Sequence, residues 1–215
     1  MSRKTDGTRR GGAAFRASCL LGTVLAVIVW PAAAQAATAK LAKHTLVYSA
    51  ASGETNHVTV TTARVAKKGV AKKGGGSAAG FRLSDPKAPL LAGAGCTAKT
   101  VHTIVCPAEN VTRIVALSGD GNDTLVNETG MRSRLDGGDG EDTVIGGSGN
   151  DVLYGGDGED TLKGRGGNDT VKTRGHWPDT VDCGSGRDTV FADWTDLAKS
   201  NCESVLRAKL LRAKQ

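Results

Sequence analysis

The sequence lacks the motifs that would indicate an enzyme or a zinc protein. Neither HExxH nor GxSxG occurs in its 215 residues, so the signatures of zinc proteases and of serine hydrolases are missing. Its five cysteines form no CxxC pair and its four histidines are scattered, which argues against a zinc site. No long apolar run follows residue 36, so a pore-forming region is not expected. We therefore predict that the protein is not an enzyme.

The net charge of +6 is no argument for a nucleic-acid partner, because it comes mostly from the first 36 residues. Residues 37–117 contain 11 basic and 3 acidic residues, residues 118–196 contain 7 and 17, and residues 197–215 contain 5 and 1. The chain after residue 36 therefore has a net charge of +2, and no nucleic-acid binding is predicted. A contact of the basic segment with anionic cell-wall or surface polymers stays open.

The first 36 residues have the organisation of a secretory signal peptide. Five basic residues precede an apolar stretch from about residue 17 to residue 34, and residues 34–36, Ala-Gln-Ala, form a small-residue cleavage site. A membrane anchor is the alternative, but the apolar run is barely long enough to cross a bilayer. We predict that residues 1–36 are removed, that no transmembrane anchor remains, and that the protein is secreted, with cell-surface association left open.

A nine-residue unit occurs four times between residues 137 and 172, with glycines at its first, second and fourth places and aspartate at its sixth. Glycine adopts positive φ readily, so such turns can aim their carbonyl oxygens at one point, to which the aspartate adds a charged oxygen. Calcium prefers six to eight such oxygens, and one turn supplies only about half of them. The pattern therefore predicts calcium sites that two turns complete together. No twelve-residue EF-hand loop can be placed here instead.

An apolar residue stands at the eighth place of each unit, which predicts a short strand with one inward side chain. These residues are Leu125, Leu135, Val144, Leu153, Leu162, Val171, Val181 and Val190. Two units make one coil of eighteen residues, so each turn stacks on the turn two units away. Asp142 is therefore expected to face Asp160, and Asp151 to face Asp169, with one ion shared by each pair.

These units resemble the G-G-x-G-x-D-x-U-x nonapeptide of the hemolysin-type calcium-binding, or RTX, family, which forms a parallel β-roll. The resemblance covers about residues 118–191 and implies an all-β fold with Ca²⁺ as its cofactor. Residues 37–117 would then form a β-rich N-terminal extension or cap. The predicted metal-binding residues are Asp123, Gly137, Gly138, Gly140, Asp142, Gly146, Gly147, Gly149, Asp151, Gly155, Gly156, Gly158, Asp160, Gly164, Gly167, Asp169, Asp179 and Asp188.

Several units depart from the nonapeptide of the family. Arg165 stands at a glycine place in the fourth central unit. In the unit ETGMRSRLD, Ser133 replaces the aspartate, so that turn is predicted to bind nothing. Arg174 and Trp177 replace glycines ahead of Asp179, so that turn keeps its aspartate but loses part of its glycine pattern.

The charge and the glycine content of the repeats predict that their folding depends on calcium. Residues 118–196 have a net charge of −10. Stacked turns bring carboxylates within a few ångströms, where each like-charged pair costs about 4 kcal/mol at an effective dielectric constant near 20. Each glycine also loses more conformational freedom on folding than another residue would. We predict a repeat region that is largely disordered without calcium and that folds on export, when it meets extracellular calcium.

Four cysteines remain after residue 36, and they allow three pairings. Cys96 and Cys106 lie ten residues apart across a predicted hairpin, and Cys183 and Cys202 flank the end of the last coil. Local pairing is therefore favoured, and two disulfides would agree with an extracellular protein.

The segments that flank the repeats carry weaker signals. Short strands are predicted at residues 45–48, 58–65, 81–83, 101–105 and 111–117. Residues 67–80 read as a flexible basic loop, and residues 192–215 as a C-terminal cap or tail. Apolar residues between basic ones near Val205 favour a short amphipathic helix in that tail. Two other functions stay open: a calcium-stabilised extracellular hydrolase and a cell-wall or surface adhesion module.

Overall fold

The structure, a computed structural model, describes residues 36–66, 77–173 and 175–207, and these residues form strands and no helix. The predicted signal peptide, except for its last residue, lies outside this part of the chain. The strands are β1 (Ala37–Ala42), β2 (Thr45–Ser49), β3 (His57–Ala66), β4 (Ser77–Ser84), β5 (Leu90–Ala92), β6 (Thr97–Thr100), β7 (Thr103–Pro107), β8 (Arg113–Leu117), β9 (Thr124–Asn127), β10 (Ser133–Asp139), β11 (Thr143–Ile145), β12 (Val152–Asp157), β13 (Thr161–Lys163), β14 (Thr170–Lys172), β15 (Thr180–Asp182), β16 (Thr189–Ala192), β17 (Leu197–Ala198) and β18 (Ser204–Arg207).

The strands build two sheets that face each other across one core. The first sheet has the order β18-β16-β14-β12-β10-β8-β2-β1-β5, and the second has the order β17-β15-β13-β11-β9-β3-β4-β7-β6. From β8 onward the chain alternates between the sheets, and each strand pairs in parallel with the strand two places later. The result is a stack of parallel coils, so the predicted all-β fold and parallel β-roll are confirmed.

The register of the roll follows the nine-residue period of the sequence. Leu135 pairs with Leu153, and Leu153 pairs with Val171, so each of these coils contains eighteen residues. Other coils contain nineteen, as between Leu162 and Val181. All eight apolar residues predicted to point inward have at most 1% of their surface exposed, which confirms that assignment. Because the residues on either side of them point outward, each of these eight residues places a single apolar side chain between the two sheets.

Parallel stacking begins before the first nonapeptide unit. Strand β2 pairs in parallel with β8, and β3 pairs in parallel with β9, so β2 and β3 form a coil of the roll without a glycine-rich repeat. The chain then leaves the coil and adds β4, β7 and β6 to the second sheet in antiparallel pairs. Buried residues of this part, such as Tyr48, Phe81 and Ile104, belong to the same hydrophobic cluster as the roll.

The prediction of a flexible loop at residues 67–80 is wrong at its C-terminal end. Residues 67–76 lie outside the described part of the chain, but residues 77–80 begin strand β4. Gly80, which suggested flexibility, instead permits close packing, because a Cβ there would collide with the side chain of Val65 and the carbonyl oxygen of Cys106. The favoured disulfides are confirmed: Cys96 is bonded to Cys106, and Cys183 to Cys202.

The prediction of a C-terminal helix is also wrong over the described residues. Ser204–Arg207 form strand β18, which pairs in parallel with β16, and Val205 lies beside Val190. The open edge of the first sheet offers backbone partners that a short isolated helix lacks, and short helices are marginal in water. Residues 208–215 lie outside the described part of the chain. Within the described residues, no helix is long and apolar enough to cross a membrane.

Candidate metal centre

The turns of the roll place the predicted aspartates in two columns, one along each edge. Turns that lead from the first sheet to the second carry the first column, and turns that lead back carry the second. The first column is Asp123, Asp142, Asp160 and Asp179; the second column is Asp151, Asp169 and Asp188. Each of these side chains has at most 2% of its surface exposed, although aspartate is rarely buried without a partner.

One carboxylate oxygen of each aspartate accepts a hydrogen bond from the backbone of the preceding coil. The Oδ1 atom of Asp160 accepts a hydrogen bond of 2.9 Å from the backbone N–H of Asp142, and Oδ1 of Asp142 accepts one of 2.8 Å from Asp123. Oδ1 of Asp179, Asp169 and Asp188 accepts the same bond from the aspartate one coil earlier. The predicted stacking of Asp142 on Asp160, and of Asp151 on Asp169, is therefore confirmed.

The second carboxylate oxygen has no such partner in six of the seven aspartates. Within the described residues, Oδ2 is buried without a hydrogen bond in Asp123, Asp142, Asp160, Asp169, Asp179 and Asp188. A buried polar atom without a partner is costly, and a buried charged one is more costly still. A row of such oxygens fits a bound cation, which would compensate each of them.

The glycine turns bring main-chain oxygens to the same places. A Cβ on Gly137 would collide with Oδ2 of Asp142 and with the carbonyl oxygen of Gly155 in the next coil. Gly164 has the same relation to Asp169 and to the carbonyl oxygen of Cys183. The absence of a side chain thus lets a carboxylate and a carbonyl of the neighbouring turn approach each other, and such oxygens are the ligands that Ca²⁺ prefers.

The other predicted glycines lie in or beside the same turns. Gly138 and Gly156 lie near the C-terminal ends of β10 and β12, and Gly140 and Gly158 lie in the first-column turns that follow these strands. Turns of the second column contain Gly146, Gly147, Gly149 and Gly167. Positive φ is required at Gly138 and Gly140, where φ is 103° and 133°. Within the described residues, no group of three His, Cys, Asp or Glu side chains could hold a metal ion by itself. A metal ion would therefore need these main-chain oxygens.

Burial raises the pKa of the stacked carboxyl groups, and neighbouring carboxylates raise it further at most of them. The pKa rises from the ordinary value of 3.8 to about 7 for Asp142, Asp169 and Asp179, and to about 6 for Asp160. Burial is the largest cause at each, opposed by the backbone hydrogen bond to Oδ1. In the absence of a cation, protonation of these carboxyl groups therefore stabilises the folded roll.

This shift predicts that acid stabilises the calcium-free protein. A raised folded-state pKa contributes stability that is complete below the unfolded value near 4 and is lost as pH rises through about 6 to 7. The melting temperature without calcium should therefore fall from pH 5 to pH 8, whereas the gain on adding calcium should grow. Circular dichroism melts of dialysed protein at several pH values measure both. A calcium-free melting temperature that rises with pH over this range would contradict the prediction.

Asp151 differs from the other six aspartates. Its Oδ1 accepts hydrogen bonds from the backbone N–H and the hydroxyl of Ser133, at 2.6 and 2.7 Å, and its Oδ2 accepts one of 2.7 Å from the N–H of Gly147. Neither Gly147 nor Gly149 has the positive φ of the equivalent Gly138 and Gly140. Both oxygens of Asp151 are thus satisfied by the protein, in the turn that stacks on the unit without an aspartate.

Three residues that the sequence patterns did not single out end the columns. The backbone N–H of Asn56 donates to Oδ1 of Asp123 at 2.6 Å, so Asn56 stands one coil before the first column. Asp196 continues that column, since its Oδ1 accepts from the N–H of Asp179 at 3.1 Å. Oε2 of Glu203 accepts from Asp188 at 2.8 Å and continues the second column. Their spacing departs from eighteen or nineteen residues, so the period could not locate them.

Comparison with known families agrees with this geometry. Residues 136–171 match the sequence model of the RTX calcium-binding nonapeptide repeat, in four copies. Neither the curated proteins nor the solved structures contain a significant match to the chain. The chain therefore contains calcium-binding repeats at residues 136–171. Its central coils are RTX nonapeptide repeats, and calcium is the ion that such repeats bind.

Proposed function

We propose that the protein is a secreted calcium-binding protein whose roll folds when calcium binds after export. The observation that supports this most directly is the row of six buried Oδ2 atoms without a hydrogen-bond partner. We assign these atoms as calcium ligands, together with carbonyl oxygens of the glycine turns in the same and the following coil. RTX rolls are typically non-catalytic modules, and we propose a structural role for calcium here.

Secretion is supported by three independent features. Residues 1–36 have the pattern of a signal peptide, and proteins with RTX repeats are typically secreted. The two disulfides fit an oxidising compartment. Extracellular calcium fills sites with dissociation constants of about 10⁻⁴ to 10⁻³ M, whereas cytosolic calcium does not. Export can therefore act as the signal for folding, because metal binding energy becomes folding energy.

Two matched variants test the assigned ligands. Asp160→Asn keeps an oxygen for the N–H of Asp142 but removes the charged, unpartnered Oδ2. We expect isothermal titration of residues 37–215, with disulfides intact, to show fewer calcium ions or about tenfold weaker binding, the loss of one charged contact. Asp151→Asn removes the acceptor of Gly147 instead, so it should lower the melting temperature with calcium and leave the ion count unchanged.

The outcomes separate the roles of the two aspartates. Equal calcium loss in both variants would make Asp151 a ligand that exchanges its contact with Gly147 for the ion. Unchanged calcium binding in both would remove the assigned ligands and with them the proposal. Magnesium serves as the control ion, because it demands a smaller, octahedral site and should not replace calcium here.

A further inference from the structure

We propose that the outer face of the first sheet carries a binding groove for an acidic polysaccharide. The groove is open to solvent, has a volume of about 760 Å³ and is lined by three arginines, Arg113, Arg132 and Arg134. It lies on the face of the sheet, whereas the aspartate columns follow the edges of the roll. The proposal therefore does not depend on the assignment of calcium ligands, beyond the requirement that the protein is folded.

Two of the arginines are positioned by hydrogen bonds to neutral groups. Nε of Arg113 donates to the hydroxyl of Thr45 at 3.1 Å, and Nε of Arg132 donates to the carbonyl oxygen of Thr112 at 3.2 Å. Within the described residues neither forms an ion pair, whereas Arg134 pairs with Asp136 at 2.9 Å. An arginine anchored through Nε keeps both Nη groups for a planar anion, and the guanidinium fork matches carboxylate or sulfate oxygens.

The charge of the groove contrasts with that of the repeats around it. No Asp or Glu is among the described residues that line it, although residues 118–196 have a net charge of −10. A second groove of about 480 Å³ shares Arg113 and Arg132 with the first and adds Lys43. Together the two grooves, here called the basic groove, cross strands β2, β8, β10 and β12, a width of about 14 Å at the usual strand spacing. A polymer fits this extent better than a single small anion does.

The floor of the basic groove favours a sugar chain among acidic polymers. It is formed by Val115 and Val152, which lie on either side of Arg134 in the sheet. A sugar ring presents an apolar C–H face to such a floor and acidic substituents to the arginines. A peptide cannot add as a strand, because the backbone groups within the sheet are already paired. The Tyr154 ring already contacts Arg134 and Lys172, at 4.4 and 5.1 Å, so it offers a poor platform for nucleic-acid bases.

The test uses residues 37–215 with calcium in excess and heparin as the probe. Residues 37–215 include every residue that lines the basic groove. We expect heparin to bind, neutral dextran not to bind, and heparin affinity to fall steeply as sodium chloride rises from about 50 to about 500 mM. The variant Arg113→Gln/Arg132→Gln should weaken binding about tenfold or more, since each charge-assisted contact contributes substantially.

A matched variant controls for the change in net charge. Lys163→Gln/Arg187→Gln removes the same two charges at positions that do not line the basic groove, and should change heparin affinity less than twofold. Circular dichroism shows whether each variant is folded, which both should be because the substituted side chains are not buried. Equal loss in both double variants, no binding of heparin, or equally tight binding of polyglutamate through the same arginines would overturn the proposal.

Discussion

Removal of calcium at pH 8 is expected to abolish most of the β-sheet signal in far-ultraviolet circular dichroism of residues 37–215. The six unpartnered Oδ2 atoms are buried and lie in two columns, so a calcium-free roll at this pH holds unpaired negative charge along both edges. Each close pair costs about 4 kcal/mol, and domains are typically stable by only about 5 to 15 kcal/mol. Two or three such pairs, about 8 to 12 kcal/mol, are as large as that margin.

Titration with calcium should restore the spectrum, and magnesium should not. The disulfides stay intact throughout, so the unfolded state remains cross-linked near both ends of the roll. A spectrum that stays the same in chelator and in either ion would show a roll that folds without calcium. Export would then have no role in switching the fold, although the repeats could still bind the ion.

Leu153→Asp is expected to prevent folding even with calcium in excess. Leu153 is fully buried, and its neighbours in the sheet, Leu135 and Val171, are buried apolar residues as well. The cluster around Leu153 consists of buried hydrophobic residues, so a carboxylate there would be both desolvated and unpaired, a cost of several kcal/mol. Loss of a leucine side chain from the core adds about 2 to 5 kcal/mol.

Val152→Asp is the matched control for that substitution. Val152 is the preceding residue of β12, and it lies on the outer face, where it is only half-buried. The control should fold with calcium and keep a melting temperature within a few degrees of the parent. Normal folding of Leu153→Asp, or equal damage from both variants, would contradict the alternation of inward and outward residues on which the roll depends.

The coils that could be predicted are those in which every level of structure repeats with the same period. Glycines, the stacked aspartate and the inward residue, such as Leu162, recur together, so one register satisfies all of them. Strands β2 and β3 belong to the same roll, but Asn56 stands where later coils have aspartate and no glycine-rich turn precedes it. Strands β2 and β3 belong to the roll because they pair with β8 and β9, and local sequence patterns do not predict this pairing.

Contacts that lie outside the local sequence also explain the wrong prediction of a C-terminal helix and the different hydrogen bonds of Asp151. The residues around Val205 have apolar side chains at a spacing that suits a helix. They form a strand instead, because pairing with the edge of β16 is more favourable than a short helix. Asp151 stands at the same place of the nonapeptide as Asp160, but the turn before it in the stack provides Ser133 in place of an aspartate. Contacts between coils, rather than the unit itself, decide what each aspartate does.

The hydrogen bonds from backbone N–H to Oδ1 make each column a one-dimensional chain of linked elements. Fixing the carboxylate of Asp160 also fixes the backbone of Asp142, one coil earlier, and the same relation repeats along the edge. Nearest-neighbour coupling of this kind produces cooperativity that grows with the number of links. The first column has three links among its aspartates and the second has two. Calcium binding should therefore be more cooperative in the first column than in the second.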